Sequence, residues 1–399
     1  MAATPHIGDD ERRARVQARH HLGGDAASAV DVAGRLCGLH ATDPATVYLS
    51  LHARVAGIDH AAIDDALYEQ RSLVRLLGMR RTVFVLPRDG AAVMEAACSQ
   101  ALVAGERRKV VQLVTDQGPI ADPVEASAWL DELAARVLAH LDEVGEASAV
   151  ELGKAVPELQ TKFVGAVGKS YEGTIGLSTR LLFIMALEGH LIRGRPLGTW
   201  LSSQYRWAHT DTWLGGPLAP WDPAEARAEL ARRWLATYGP APVEDLKWWS
   251  GWTLGQARAA LGAIGAITVD LDDGTTGHVL PEDLDATPPS DPVAALLPGL
   301  DPATMGWKAR AWYLGDHGPR LFDRNGNGGP TIWWGGRIVG GWASMPDGVI
   351  QTWLLDDIGA DGVQAVAARA EALTTWLDGT RVKSRFPTPL EKELVAGAG

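Results

Sequence analysis

One order of predicted elements, two or three helices followed by a β-hairpin, occurs three times before residue 290. The hairpins are predicted over residues 72–87, 191–208 and 266–281, where short apolar strands flank a turn. The Asp-Asp-Gly turn of the third hairpin is a strong hairpin signal. Helices that lead into a hairpin are typical of a winged helix-turn-helix domain, so the pattern predicts three such domains in tandem. The copies are not at a fixed period, which excludes a solenoid.

In the first copy, the tripeptide His40-Ala41-Thr42 lies at the corner between two predicted helices. Val32, Leu36 and Leu39 keep the i, i+4, i+7 spacing of an amphipathic helix before the corner. Asp43-Pro44 then supplies an N-cap acceptor and a proline at the first position of the next helix. The tripeptide therefore connects two helices and is expected to have extended backbone.

The composition changes after residue 288, where the chain becomes rich in loops and aromatic residues. Three short strands separated by Gly-Gly and Asp-Gly turns are predicted over residues 330–359, followed by a helix and a basic strand. These features fit a small β-barrel or a compact α+β domain. We expect an α+β protein with three tandem winged helix-turn-helix domains and a C-terminal β-barrel-like domain, at residues 1–115, 116–215, 216–288 and 289–399.

The distribution of charge matters more than its sum. The formal net charge of −12 argues against a general nucleic-acid binder, because affinity for phosphates is largely electrostatic. However, there are five arginines and no acidic residue between Arg71 and Arg88, and a second basic cluster spans residues 107–109. A third contains Arg193 and Arg195. Clusters of basic residues in an otherwise acidic protein predict local, salt-dependent binding of DNA.

Several classes of protein are disfavoured by the sequence. There is no run of eighteen uncharged apolar residues and no apolar core of signal-peptide length at the N-terminus, so we expect a cytoplasmic protein that contacts no membrane. Cys37 and Cys98 are expected to be free buried thiols. Residues 323–328 begin like a calcium loop but lack the glutamate at position twelve, which favours a β-turn. We expect no metal site and no cofactor.

Five stretches resemble, in chain order, the bacterial winged-helix family that includes the AlkZ and YcaQ DNA glycosylases. They are GLHATDPATVYLSLHARV, SLVRLLGMRRTVFVLP, STRLLFIMALEGHLIRG, LLPGLDPATMGWKARAWYLG and FDRNGNGGPTIWWGGRIVGGWA. The resemblance implies a C-shaped arrangement of the three winged helices, with duplex DNA in the concave channel. In the glycosylases a Gln-Φ-Gln or Gln-Φ-Asp tripeptide precedes a helix that ends in Leu-x-Ala-Arg. Here His40 and Thr42 occupy the two polar positions.

The tripeptide is the candidate catalytic site that the resemblance implies. Side chains alternate along an extended segment, so His40 and Thr42 are expected to point the same way and to hold one water. Neutral His40 is a candidate general base, Thr42 a candidate for orienting the water, and Asp43 a candidate for stabilising positive charge on the sugar. Structural roles remain open for all three residues: a hydrogen-bonded histidine at a corner, a local acceptor and an N-cap.

The expected partner is damaged double-stranded DNA, bound by a monomer. The expected DNA contacts are Arg54, Arg75, Arg80, Arg81, Arg193, Arg195 and Gln204. The leading hypothesis is a monofunctional DNA glycosylase that hydrolyses the N-glycosidic bond of alkylated or bulky-adduct purines. One alternative is a non-catalytic DNA-binding or damage-binding protein, since the tripeptide differs from the family pattern. Another is a scaffold that binds a small genotoxic molecule directly.

Overall fold

Three segments of the chain share the order of elements that the sequence predicts. The computed structural model describes residues 4–165 and 172–397. The first segment contains β1 (His6–Ile7), α1 (Asp9–Arg19), α2 (Ala29–Arg35), β2 (Leu39–His40), α3 (Pro44–His52), α4 (His60–Asp64), β3 (Leu73–Leu77), β4 (Val83–Pro87), α5 (Arg88–Met94) and α6 (Gln100–Gln117). A π-helix extends α4 over Asp65–Glu69, and another joins α5 to α6 over Glu95–Ser99.

The second and third segments continue this order. The second contains α7 (Pro123–Val144), β5 (Glu146–Ser148), α8 (Ala149–Ala155), β6 (Lys162–Gly165), β7 (Gly173–Gly176), α9 (Leu177–Leu187), β8 (Leu191–Pro196), β9 (Tyr205–His209) and α10 (Thr210–Leu214). The third contains α11 (Pro223–Tyr238), α12 (Val243–Ser250), α13 (Leu254–Ala263), β10 (Ile267–Leu271) and β11 (Thr276–Val279). The expected fold class, α+β, is confirmed.

The sheets of the three segments have the same connectivity. A short strand that precedes the second helix pairs with the second strand of the hairpin, which gives the orders β2-β4-β3 and β5-β9-β8. In the third segment a single bridge from Ala241 to His278 takes the place of the short strand. The three predicted hairpins, β3/β4, β8/β9 and β10/β11, are confirmed.

Two details of these segments differ from the prediction. The N-terminal strand β1 pairs in parallel with β10, so the start of the chain completes the sheet of the third segment rather than that of the first. Arg193 and Arg195 lie on strand β8 and not at the turn of the hairpin, which spans residues 197–204. The turn is longer than the sequence suggested, because its polar and glycine residues do not show at which residue the two strands begin to pair.

The C-terminal region is built on an open sheet. It contains β12 (Ala294–Leu297), α14 (Pro302–Met305), α15 (Ala311–Leu314), α16 (Gly318–Leu321), β13 (Thr331–Trp334), β14 (Arg337–Ser344), β15 (Ile350–Leu354), α17 (Gly359–Leu377) and α18 (Pro389–Ala396). The strands are antiparallel in the order β12-β13-β14-β15, and within the described residues the two outer strands do not pair. The prediction of a β-barrel is therefore wrong.

Helix α17 explains why this sheet does not close. Its apolar residues Val366, Ala370 and Leu373 pack in one cluster with Leu296 of β12 and Ile332 of β13, so a helix covers the face that a barrel would enclose. The predicted basic strand near the C-terminus is also wrong, since residues 380–388 are irregular and lead into α18. Like the other helices of the described ranges, α17 is not both long and apolar enough to cross a membrane.

A buried ion pair joins the end of α3 to the start of α14. Arg54 donates from Nη1 and Nη2 to the two carboxylate oxygens of Asp301, at 2.9 and 2.8 Å, and both side chains are 0% exposed. Arg54 also donates to the carbonyl oxygens of His20 and Ser50, while Asp301 accepts from the Ser50 hydroxyl and the Ala303 amide. The expected DNA contact of Arg54 is therefore wrong, because its donors are buried and occupied.

Replacing Asp301 with asparagine is expected to lower the free energy of unfolding by about 3–5 kcal/mol, because it leaves the Arg54 charge buried without its partner. Urea unfolding followed by circular dichroism measures this change. Arg136→Gln is the matched control, since it breaks the exposed pair with Glu158 and should have little effect. Equal stability of the Asp301 variant and the wild type would contradict a structural role for the buried pair.

Candidate functional site

The tripeptide connects strand β2 to helix α3. His40 pairs with Phe84 on β4, and the amide of Ala41 donates to the carbonyl of Val83 at 2.8 Å. Ala41 is buried in the core of the first segment. The alternation of an extended segment places Ala41 inward, which fixes the backbone on both sides of it.

His40 is buried, uncharged and directed by a local hydrogen bond. Its Nδ1 accepts a long bond from the amide of Thr42, at 3.4 Å, which leaves the ring proton on Nε2. Burial lowers the pKa of His40 to about 3, and the positive charge of Arg80 contributes to the shift. The tautomer that this bond favours makes Nε2 a hydrogen-bond donor. A base of such low pKa is also a weak proton acceptor at neutral pH.

Thr42 and Asp43 lie on the other side of this corner. The Thr42 hydroxyl oxygen is buried and has no hydrogen-bond partner among the described residues. Asp43 caps α3 by accepting from the amide of Ala45 at 3.1 Å, which confirms the N-cap role. Its second oxygen accepts from the amide of Arg385 at 3.0 Å, and burial raises the pKa of the carboxyl group. Both oxygens of Asp43 are thus occupied by backbone donors.

His40 opens onto a cavity of about 330 Å³ that three parts of the chain form together. The residues that line it are His40, Arg80, Thr82, Trp248, Leu300, Met305, Lys308, Arg310, Asn325, Gly326 and Asn327. Thr42 and Asp43 do not line it. The lining includes three cationic side chains and no carboxylate. We call Arg80, Lys308 and Arg310 the cavity cations.

Trp248 holds two of the cavity cations in place. The guanidinium carbons of Arg80 and Arg310 lie 4.6 and 4.9 Å from the centroid of its ring, within the range of cation–π attraction. Arg80 is further fixed by its backbone, since it has a φ of 53° in the left-handed region and a Cβ on Gly251 would lie 2.9 Å from its Cγ. Two arginines stacked on one tryptophan ring give the cavity a cationic entrance with an aromatic face beside His40.

Nine of the eleven residues that line the cavity were not identified as site residues from the sequence. Trp248, Lys308, Arg310 and the turn at residues 325–327 lie far from the tripeptide along the chain. The expected turn is confirmed, because Asp323 accepts from the amides of Asn325 and Asn327. The signal available was the concentration of basic and polar residues in GWKAR and DRNGNG, but nothing in the sequence places these stretches beside His40.

The other predicted DNA contacts differ in how free their charges are. Arg81 pairs with Glu106, and Arg195 pairs with Asp64 and Glu69. Arg75 is 3% exposed, and its Nη1 donates to the Tyr68 hydroxyl. The half-buried Arg193 has no carboxylate partner among the described residues, and Gln204 is exposed in the turn that follows β8.

The state of His40 is testable by its nitrogen chemical shifts. Because the folded-state pKa is depressed below the value of the unfolded chain, ionisation of His40 opposes folding below about pH 6.5. We expect long-range ¹⁵N–¹H spectra to show a neutral ring protonated at Nε2 down to about pH 4. Arg80→Gln should raise the pKa of His40, whereas Arg81→Gln should not. Titration of His40 near pH 6.5 in the folded protein would contradict its burial.

The comparisons with known proteins agree with this architecture. The family model described as "DNA glycosylase AlkZ-like" matches residues 33–376. No curated protein matches the sequence. Among solved structures, the Streptomyces sahachiroi DNA glycosylase AlkZ is similar, with a TM-score of 0.70 and 21% identity over 95% of this chain and 99% of that one. At this identity the structural likeness shows a shared fold. The family model shows that the chain belongs to the AlkZ-like DNA glycosylase family.

Proposed function

We propose that the chain binds damaged double-stranded DNA and hydrolyses the N-glycosidic bond of a purine nucleotide that enters the cavity at His40. One observation supports this most directly. The family's tripeptide position opens onto a cavity with three cations, a tryptophan face and no carboxylate, in a protein whose net charge is −12. Cations at an aromatic entrance suit a sugar-phosphate chain and a base that has left the stack.

The three repeated segments supply the surface that would bind DNA. We interpret the three copies of helices and hairpin as three winged helices that form an open C, with the tripeptide facing the enclosed duplex. Arg80 and Arg81 lie at the tip of the β3/β4 hairpin, which corresponds to the wing of the first copy. A wing contacts the phosphate backbone, which fixes the position of the protein without reading sequence. One chain carries all three winged helices, so a monomer is sufficient to bind the duplex.

Hydrolysis of the N-glycosidic bond requires few protein side chains. The N-glycosidic bond breaks with its electron pair moving to the departing base, and water then adds to the oxocarbenium-like sugar and loses a proton to solvent. A base that leaves as an anion takes up a proton from solvent in return. The Nε2–H of His40 can donate to that water or to a ring nitrogen of the base. The cavity cations disfavour a base that is still positively charged and stabilise one that departs with negative charge. Neutral purine adducts should therefore be better substrates than N7-methylguanine.

A non-catalytic DNA-binding protein is the second candidate, and a specific observation favours it. In members with Gln-Φ-Gln, two amides supply both donors and acceptors for a water. Here the acceptor of His40 is engaged by the Thr42 amide, and the Thr42 oxygen is buried outside the cavity. This arrangement offers a donor to the cavity but no matching acceptor. Binding without base excision would follow from it.

The salt dependence of DNA binding tests the role of the cavity cations. Replacing Arg80 and Arg310 together by glutamine should weaken binding to all duplex sequences and reduce the slope of log K against log salt by about two. Fluorescence anisotropy over a salt series measures the slope. Arg136→Gln is the control, because this guanidinium is already bound to Glu158. An unchanged slope in the double variant would place the cavity outside the DNA interface.

Base excision is tested by alkaline cleavage at abasic sites in duplexes that contain a neutral damaged purine or N7-methylguanine. If the chain is a glycosylase, His40→Ala should reduce excision by at least about 100-fold while leaving DNA affinity unchanged. If the wild type binds DNA without excision, the double replacement His40→Gln and Thr42→Gln should create activity by restoring the family pattern. Excision by the His40→Ala variant at the wild-type rate would remove His40 from the mechanism.

A further inference from the structure

Three arginines lie together on the Thr42 side of the tripeptide, apart from the cavity cations. The guanidinium carbons of Arg75 and Arg193 lie 4.6 and 5.7 Å from the centroid of the Tyr205 ring. Arg385 donates from Nη1 to the carbonyl of Thr42 at 3.1 Å and is close enough to Arg193 to affect its ionisation. We call Arg75, Arg193, Arg385 and Tyr205 the arginine–tyrosine cluster.

Polar atoms of this cluster and its neighbour Thr42 are buried without partners. The Tyr205 hydroxyl, the Arg75 Nε and the Thr42 hydroxyl make no hydrogen bond within the structure. Tyr205 and Arg75 are 8% and 3% exposed. Nearly all buried polar atoms in folded proteins are hydrogen-bonded, since leaving one unpaired costs about 1–3 kcal/mol. Such atoms on two members of the cluster and on Thr42, which Arg385 contacts, indicate a place that a polar ligand completes.

The charges of the cluster are also unbalanced. Within the described part of the chain, none of its three arginines forms an ion pair with a carboxylate, in contrast to Arg195 on the same strand as Arg193. Asp43 is adjacent, but its two oxygens accept backbone amides. Burial lowers the pKa of Arg193 to about 10, and the charges of Arg75 and Arg385 contribute to this shift. Bringing an anion between these groups would remove their mutual repulsion.

We propose that the arginine–tyrosine cluster is a phosphate-binding site, in which guanidinium groups and the Tyr205 hydroxyl donate to the oxygens of a tetrahedral oxyanion. Guanidinium groups match phosphate oxygens in geometry as well as charge. A DNA phosphodiester is the source we favour, and that choice rests on the proposed function. The site flanks Thr42 while the cavity cations flank His40, so a phosphate held here would fix the nucleotide strand across the tripeptide.

Free phosphate tests the site without DNA. At constant ionic strength, replacing chloride by inorganic phosphate should raise the melting temperature of the wild type, because only the folded chain has the site. The rise should disappear in Tyr205→Phe and Arg193→Gln and persist in the control Arg195→Gln. Tyr205→Phe should be as stable as the wild type in chloride, since it removes an unpaired hydroxyl. Lower stability of Tyr205→Phe in chloride would indicate a structural role instead and overturn the proposal.

Duplexes with a single uncharged methylphosphonate linkage test the DNA source. At one position, the neutral linkage should weaken binding to the wild type about tenfold or more and have no effect on Tyr205→Phe or Arg193→Gln. If phosphate stabilises the wild type but no DNA binds, the site stands and the proposed function fails. If phosphate acts like chloride and every linkage affects wild type and variants equally, the phosphate site is overturned while DNA binding itself is unaffected.

Discussion

The buried pair of Arg54 and Asp301 is the contact on which the geometry of the candidate site depends. Helix α3 begins after the Asp43 cap and ends at His52, two residues before Arg54, and the C-terminal region holds both Asp43 and Arg54. Arg385 donates its amide to Asp43, and Asp301 binds the guanidinium of Arg54. Thr46 adds a bond from its hydroxyl to the carbonyl of Gly299 at 2.7 Å. A helix fixed at both ends sets where the tripeptide lies relative to Lys308 and Arg310.

The cavity cations and the arginines of the arginine–tyrosine cluster form no ion pair with a carboxylate among the described residues, whereas many arginines elsewhere are neutralised. Arg15, Arg19 and Arg107 each contact at least one carboxylate. Four of the cations without a carboxylate partner contact aromatic rings instead: Arg80 and Arg310 lie on Trp248, and Arg75 and Arg193 lie on Tyr205. An aromatic ring holds a guanidinium in place without cancelling its charge, so the charge stays available to an anion. This placement explains how an acidic protein can present two cationic sites, one on each side of a single corner of its backbone.

The sequence predicted the local elements better than their surroundings. The spacing of apolar residues and the residue types of turns and caps are signals that extend over only a few residues. The three hairpins and the Asp43 cap depend on such signals, and they were predicted correctly. The expected DNA contact of Arg54 was wrong because its partner, Asp301, is 247 residues away and no local pattern reveals the pair. The β-barrel failed for a similar reason, since strand patterns do not reveal that α17 covers the sheet. The cavity draws on three separate segments, and no local pattern brings Trp248 or Arg310 beside His40.

The change from glutamine to histidine in the tripeptide has a definite chemical consequence. A glutamine presents a donor and an acceptor at the same end of its side chain, whereas the two nitrogens of a neutral imidazole point in different directions. In this chain the Thr42 amide engages Nδ1, so only the donor of Nε2 remains for the cavity. A site with one donor and three nearby cations is matched to electron-rich groups, such as a phosphate oxygen or a ring nitrogen. On the proposed function, His40 in place of an amide would therefore favour stabilising negative charge over holding a water at both ends.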